Sequence, residues 1–324
     1  MFWRSSLCLK ISVLCIVACA FIWRYPKKRS ERKLKCWEDV TEQASSSCRP
    51  VCPNGSFGLP GMSDCHPSLS CVDIKNDVRV LDLLASGTVK NVYLAKWKEH
   101  TVVLSNLTDA RLQPDFQHNL HMHQLLGHAD YTVQYMGSCE NTLVSEYFTL
   151  GSAAGLQTLF NTKLLGYNTL FRRFSLCLSY VTILEYLHSH NRVMCDSNTL
   201  LKTLSQYLVH PDLTLRVNDL DALPYATRNE MAACGSPPLH GDLLAPEQHG
   251  SMPHESLCNT ACDIWKIPDV CLWFLGRTRE AESFKFHLFS VHRQCKLRQP
   301  DQRPSATEVL RDYHRIWQEW ARGL

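Results

Sequence analysis

The pattern of apolar and polar positions divides the chain into three stretches of different character. Leu7 to Trp23 is apolar except for Lys10 and Ser12, about 17 residues, the short end of what spans a bilayer. From Cys36 to about Lys75 no periodicity is sustained, and Pro50, Pro53, Pro60 and Pro67 alternate with Gly55, Gly58 and Gly61. That is the composition of a loop-rich, cross-linked stem rather than of a second core. From Asp77 onward the pattern is that of a folded body. Runs rich in β-branched and apolar residues at 78–84, 85–97 and 101–107, joined by short turns, predict a meander. A helix is expected over 115–126 and two more strands at 132–136 and 143–148, completing a five-stranded sheet. Beyond Gly151 the spacing becomes helical. Leu170, Phe174, Cys177, Leu178, Val181, Leu184 and Leu187 mark the buried face of a long helix over 169–188. Further helices are expected at 262–275, 279–295 and 305–320, the last opened by a capping box of Ser305 and Glu308.

Composition adds compartment and excludes one class of partner. With 324 residues, 45% of them hydrophobic, the chain can bury a large core and is not disordered. The formal charge is only +3, and basic residues gather at 24–35 instead of covering a face, so no nucleic-acid partner is expected. Of 16 cysteines, five (Cys36, Cys48, Cys52, Cys65 and Cys71) lie in the stem, which points to disulfides and an oxidising compartment. Zinc at Cys48 and Cys52 lacks a second close pair, and Cys258 and Cys262 read as a disulfide or as core thiols. Of the histidines in or near the 115–126 helix, His118 and His121 could share a helix face and a metal, but nothing completes the site, and a solvated helix is the preferred reading.

Topology cues conflict. The apolar run continues past the small residues Ala18-Cys19-Ala20 to Trp23, which favours an uncleaved anchor over a signal peptide. The basic flank downstream would place the body in the cytoplasm. The cysteines and the acceptor sequons at Asn54 and Asn106 place it in the lumen, and the lumenal reading is taken here.

Short motifs then carry the chemistry. Tyr186-Leu-His188 and Arg192-Val-Met lead to Asp196; Asn218-Asp219-Leu-Asp221 follows; then come Ala245-Pro-Glu247, Asp263-Ile-Trp265 and Gln302-Arg303-Pro304. In this order and at these intervals the stretch from about Val78 to Trp320 resembles the protein kinases. With Met-Cys-Asp-Ser-Asn (194–198) and Leu-His-Gly-Asp (239–242), and with the anchor and stem, nearly the whole chain resembles their divergent O-mannose kinase family. The resemblance implies an α+β, two-lobed kinase-like fold over 77–322, with a five-stranded antiparallel N-terminal lobe and a helical C-terminal lobe. Ahead of it lie an anchor at 1–24 and a basic juxtamembrane and cysteine-rich lumenal stem at 25–76. It also implies a single-pass type II protein of the endoplasmic reticulum membrane. Its activity would use ATP and Mg2+ or Mn2+ to phosphorylate the 6-hydroxyl of O-linked mannose in a trisaccharide on dystroglycan.

Carried over residue by residue, the resemblance assigns roles and leaves gaps. Of the glycine-rich loop only Gly87 survives. Ser105 occupies the place of the strand lysine, and Lys90, one strand earlier, is the expected substitute for binding phosphates; an exposed loop lysine is the bland alternative. The helix glutamate that would orient that lysine falls near Asn119, which leaves its support unassigned. Asp196 is the expected base and Asp219 the metal ligand. Leu201 stands where the second metal ligand is expected; Asn198, the nearest amide, is the candidate replacement, against an Asx turn that only steadies the loop. Asp221 is read as a turn cap in preference to a metal oxygen. Backbone groups of Glu146 to Phe148 should meet adenine, and Glu247 and Arg303 should form a structural ion pair. The missing lysine, glutamate and asparagine keep a rival reading alive, an inactive pseudokinase that binds glycan or protein as a scaffold. Lys90, Asp196 and Asp219 favour the enzyme.

Overall fold

A computed structural model describes residues 33–41, 45–127, 130–234, 240–249 and 256–323. The expected anchor at Leu7–Trp23 lies outside the described residues, among which no helix is long and apolar enough to cross a membrane.

The segment read as a stem is pinned to the body. Strands β1 (Leu34–Asp39) and β2 (Ser45–Pro50) form a hairpin in which Cys36 faces Cys48 across the ladder, and the two are bonded. A small pair, β3 (Ser56–Phe57) and β4 (His66–Pro67), lies beside the Cys52–Cys65 disulfide. Helix α1 (Cys71–Asp77) opens on a capping box of Ser70 and Asp73, and its Cys71 is bonded to Cys139 in the sheet, which accounts for the odd number of cysteines within the segment itself. Phe57, Leu59, Leu69 and Ile74 enter one apolar cluster with Trp97, Val102, Leu104, Met136 and Val144. The approach is so close at Gly137 that any side chain there would strike the Leu69 backbone.

The sheet has five antiparallel strands in the order β5 (Val78–Ser86), β6 (Lys90–Trp97), β7 (His100–Leu107), β9 (Thr142–Glu146) and β8 (Tyr135–Cys139), as its alternating sequence predicts. Between β7 and β8 runs α2 (Gln113–Leu126). This is not the solvated helix expected: Phe116, Asn119, Met122, His123 and Leu126 recur at helical spacing and are buried. Two polar residues in that stripe hid the face from a hydrophobic count.

The helical body comprises α3 (Leu156–Asn161), α4 (Leu170–Ser189), α5 (Leu200–Ser205), α6 (Thr260–Leu275), α7 (Arg279–Cys295) and α8 (Ala306–Arg322). The hairpin β10 (Tyr207–Val209) and β11 (Leu215–Val217) follows α5, and the short pair β12 (Ala232–Ala233) and β13 (Leu257–Cys258) precedes α6. Helix α4 is capped by Thr169 and packs against α6 and α8. Its Phe174, Cys177, Val181, Leu184 and Leu187 are buried, each contributing on the order of 1.5–3 kcal/mol for the larger side chains. The β1–β2 hairpin touches both halves of the molecule. Arg49 reaches Glu146 at the end of the sheet, while the Val40 amide donates to Pro211 (3.0 Å) and Glu38 pairs with Arg172 (2.6 Å) in the helical body.

Candidate active site

Asp196 emerges between α4 and α5 on a loop fixed from beneath by α6. Asp263 accepts from the Met194 amide at 3.1 Å, and its carboxylate lies 3.1 Å from His188 Nε2. Lys266, one helical turn on, donates to the Met194 carbonyl (2.9 Å), to Ser197 and to Asp263. Both charges are fully buried. Burial works against the Asp263 carboxylate, but Lys266 more than compensates and its affinity for protons falls. Such a pair is tolerated only because every arm is used. Cys195, beside Asp196, is bonded to Cys234 in the segment that leads toward Ala245-Pro-Glu247. A covalent link thus joins the catalytic loop to the segment that follows β12.

Asn198 is turned toward that same segment. Its amide donates to the His240 carbonyl, and its backbone carbonyl accepts from the Leu243 amide at 3.0 Å. Gly241 lies so near the Asn198 carbonyl that no side chain fits there. The side-chain nitrogen and the backbone carbonyl of Asn198 thus hold the 240–243 segment, and Asp221 stands with the other carboxylates.

The cleft between sheet and body gathers charge from both. Lys90 at the start of β6 is not an exposed loop lysine: it is largely buried, and its Nζ donates to Asp219 Oδ1 (2.7 Å) and to Asn119 Oδ1 (3.2 Å). Asn119, fully buried on α2, therefore does for Lys90 what the missing glutamate would do, and also accepts from the Leu220 amide at 3.3 Å. Burial would raise the Asp219 carboxyl, yet Lys90 holds it below its ordinary range. Asp221 is the opposite case. Burial first, and the Asp219 charge second, push its carboxyl up to about 7. Asp196, Asp219 and Asp221 can each offer a carboxylate oxygen within 4.8 Å of the others, a hard-oxygen set of the kind that suits magnesium or manganese. Asp221 therefore sits in this set rather than serving only to cap a turn.

A second cation completes the group. Lys202 on α5 places Nζ 2.6 Å from Asp196 Oδ2; burial pulls its affinity for protons down, but Asp196 more than restores it. A single cavity of about 240 Å3 is lined by Gly87, Lys90, Asp196, Lys202, Asp219 and Asp221. Sequence reasoning missed Lys202 because it stands six positions after the base, on a helix, where no kinase motif places a lysine. The available signal was the helical turn that returns it toward the loop.

The remaining expected residues fall as follows. Gly87 closes the β5–β6 turn by donating to the Lys90 carbonyl at 3.0 Å. The Glu146 amide donates to Gln134 (3.1 Å) and its carboxylate is paired with Arg49, but the Phe148 amide has no partner among the described residues. Glu247 and Arg303 form a two-pronged ion pair at 2.6 and 2.7 Å, with Arg303 fully buried against Trp265. Asn54 is exposed on a turn, whereas Asn106 lies in β7 with its amide oxygen accepting from Thr142 (2.8 Å).

No family model matches the chain. Individual proteins do. It is 41% identical over 281 residues to protein O-mannose kinase of Homo sapiens, 43% over 282 residues to that of Gallus gallus and 38% over 285 residues to that of Xenopus laevis. In each case the match covers 82% of this chain and 80% of the relative.

Proposed function

Because the chain belongs to the protein O-mannose kinase family, we propose that it transfers the γ-phosphoryl group of ATP to the 6-hydroxyl of an O-linked mannose in a trisaccharide on dystroglycan. It is a phosphotransferase acting on an alcohol group. The observation that carries the reading is the contact of Lys90 with Asn119 and Asp219 beside Asp196. The charges that phosphoryl transfer requires are thereby supplied from positions other than the usual ones. A pseudokinase would have no need to hold them.

The fold we assign is the two-lobed kinase-like one over 77–322, with the adenine against the Phe148 amide and the phosphates under the Gly87 turn. Lys90 grips the phosphate oxygens. Asp219 and Asp221 would hold the metal, which when bound would supply charge neutralisation for the transferred group. Asp196 accepts the proton of the mannose 6-hydroxyl as that oxygen bonds to phosphorus and the bond from phosphorus to the ADP oxygen breaks. Lys202, paired with Asp196 (2.6 Å), orients the base, and lies where it can also meet the transferring group. The Cys195–Cys234 link, with Cys195 standing where kinases carry an arginine before the base, fits an enzyme with no phosphorylation switch in its activation segment.

We place the body in the lumen of the endoplasmic reticulum, anchored as a single-pass type II protein. Four disulfides among the described residues support an oxidising compartment, and exposed Asn54 suits glycosylation better than Asn106. Incubating the full chain with ATP, Mg2+ or Mn2+ and an O-mannosyl trisaccharide should yield a phosphosugar detectable by mass. No product, or equal product from Asp196→Ala, contradicts the mechanism.

A further inference from the structure

The chain treats the two edges of its five-stranded sheet differently. At one edge the backbone of β8 is covered: Leu69 bridges to Gly137, its amide donates to the Met136 carbonyl at 2.7 Å, and Cys71 is bonded to Cys139. At the other edge β5 pairs only with β6, and its outer row of amides and carbonyls meets no strand among the described residues. We propose that this open edge is a dimerisation surface. On it β5 pairs antiparallel, about a two-fold axis, with β5 of a second copy of the chain, and two five-stranded sheets become one.

The edge is unprotected where edges usually are blunted. At nine residues β5 is the longest strand among those described, and it contains neither proline nor lysine. Val80, Leu81, Leu83 and Leu84 are 46–58% exposed. So many large apolar side chains in succession along a free strand mark an interaction surface.

The charges on the strand select the occupant. Arg79 and Asp82 are exposed and make no side-chain hydrogen bond or ion pair to a described residue. In an antiparallel pairing centred between Val80 and Leu81, Arg79 of each copy stands opposite Asp82 of the other, and Val80 opposite Leu81. One strand is thus its own complement, as a two-fold interface requires. Registers one residue to either side set both charges against apolar residues. Those centred on Arg79 or on Asp82 set like charges together.

Opposite residues of such a pair must also share a face. Arg79 and Asp82, three positions apart, do so because the strand bulges between them at Leu81: Arg79 lies opposite Lys96 and Asp82 opposite Leu94, two positions apart on β6. The bulge is what makes the charge pairing possible. The paired span, Val78 to Leu83, stops short of the Gly87 turn and leaves the catalytic cleft open in both copies.

Light scattering on the full chain in detergent, corrected for bound detergent, should return the mass of two chains. Arg79→Asp and Asp82→Arg, each at an exposed position, set like charges opposite at both ends of the pairing. Each variant alone should associate at least about ten-fold more weakly, with its melting temperature unchanged. An equimolar mixture of the two variants restores both ion pairs and should recover the dimer, which neither misfolding nor contact through another segment would do. A native chain that stays monomeric, leaving the edge to a different protein, overturns the proposal. So does a dimer that both single variants keep intact, or a mixture that remains monomeric.

Discussion

The two halves of the molecule keep the family chemistry by different means. In the helical body the ionic contacts join the residues that the motifs name: Glu247 with Arg303, and Asp263 beneath the catalytic loop. In the sheet half Gly87 keeps its place, but the charged landmarks have moved or changed. The cation proposed to bind phosphate, Lys90, is on β6 instead of β7, its helix partner is the neutral Asn119, and the carboxylate at the end of the sheet, Glu146, is paired to Arg49 from the cysteine-rich segment. The difference teaches that a buried two-pronged ion pair fixes residue identity, because both partners must match in shape and charge. A phosphate cleft requires only that positive charge arrive at a point in space, and several backbone positions can deliver it.

Breaking the helical half should have the largest effect on stability. Arg303→Met strands Glu247 and should cost about 3–5 kcal/mol, measurable by denaturant unfolding. Cutting the link between loops comes next: Cys234→Ser, which opens a disulfide across a separation of 39 residues, should cost about 2–4 kcal/mol and lower activity, whereas reduction of native chain should reproduce the activity loss. If Cys234→Ser matches native in both respects, the disulfide is not what holds the activation segment.

The cleft carboxylates predict a pH dependence. Asp221 titrates at about 7 when folded, above the ordinary 3.8. The folded state therefore keeps its proton longer than the unfolded chain does. Its contribution is fully present below about pH 4 and is lost as pH rises through 7, a penalty on the order of a few kcal/mol in metal-free solution. Asp221→Asn should flatten the fall in melting temperature between pH 4 and 7 in chelator, and should weaken the stabilisation that Mn2+ gives to the native chain. The smallest effect is expected at Asn119. Its Nδ2 has no partner among the described residues, but Asn119→Leu strands the buried Leu220 amide, so it should cost about 1–3 kcal/mol, and kcat/KM should fall about ten-fold as Lys90 loses one of its two anchors.

How much of this was legible in sequence follows the same division. The central helices, the Ser305–Glu308 cap and the Glu247–Arg303 pair were readable, because periodicity and short motifs report on neighbours along the chain. Lys90 was found because it stands where the third glycine of the loop would be, on the second strand, but Asn119 could not be assigned as its anchor, since the contact joins residues 29 positions apart. The Cys71–Cys139 and Cys195–Cys234 pairings, across 68 and 39 positions, were equally invisible. Asp221 was read as a cap because Asp in a turn caps more often than it coordinates, and only the fold brings Asp196 to it.

The central claim is that Lys90 replaces the strand lysine, and nucleotide affinity tests it most directly. Equilibrium binding of ATP and of adenosine should be measured on native chain and on Lys90→Met in the presence of Mg2+. Lys90→Met should bind adenosine as native does but lose at least about ten-fold in ATP affinity, with phosphosugar formation down about 10²–10³-fold. Equal affinity for ATP and equal turnover in the two chains would contradict it.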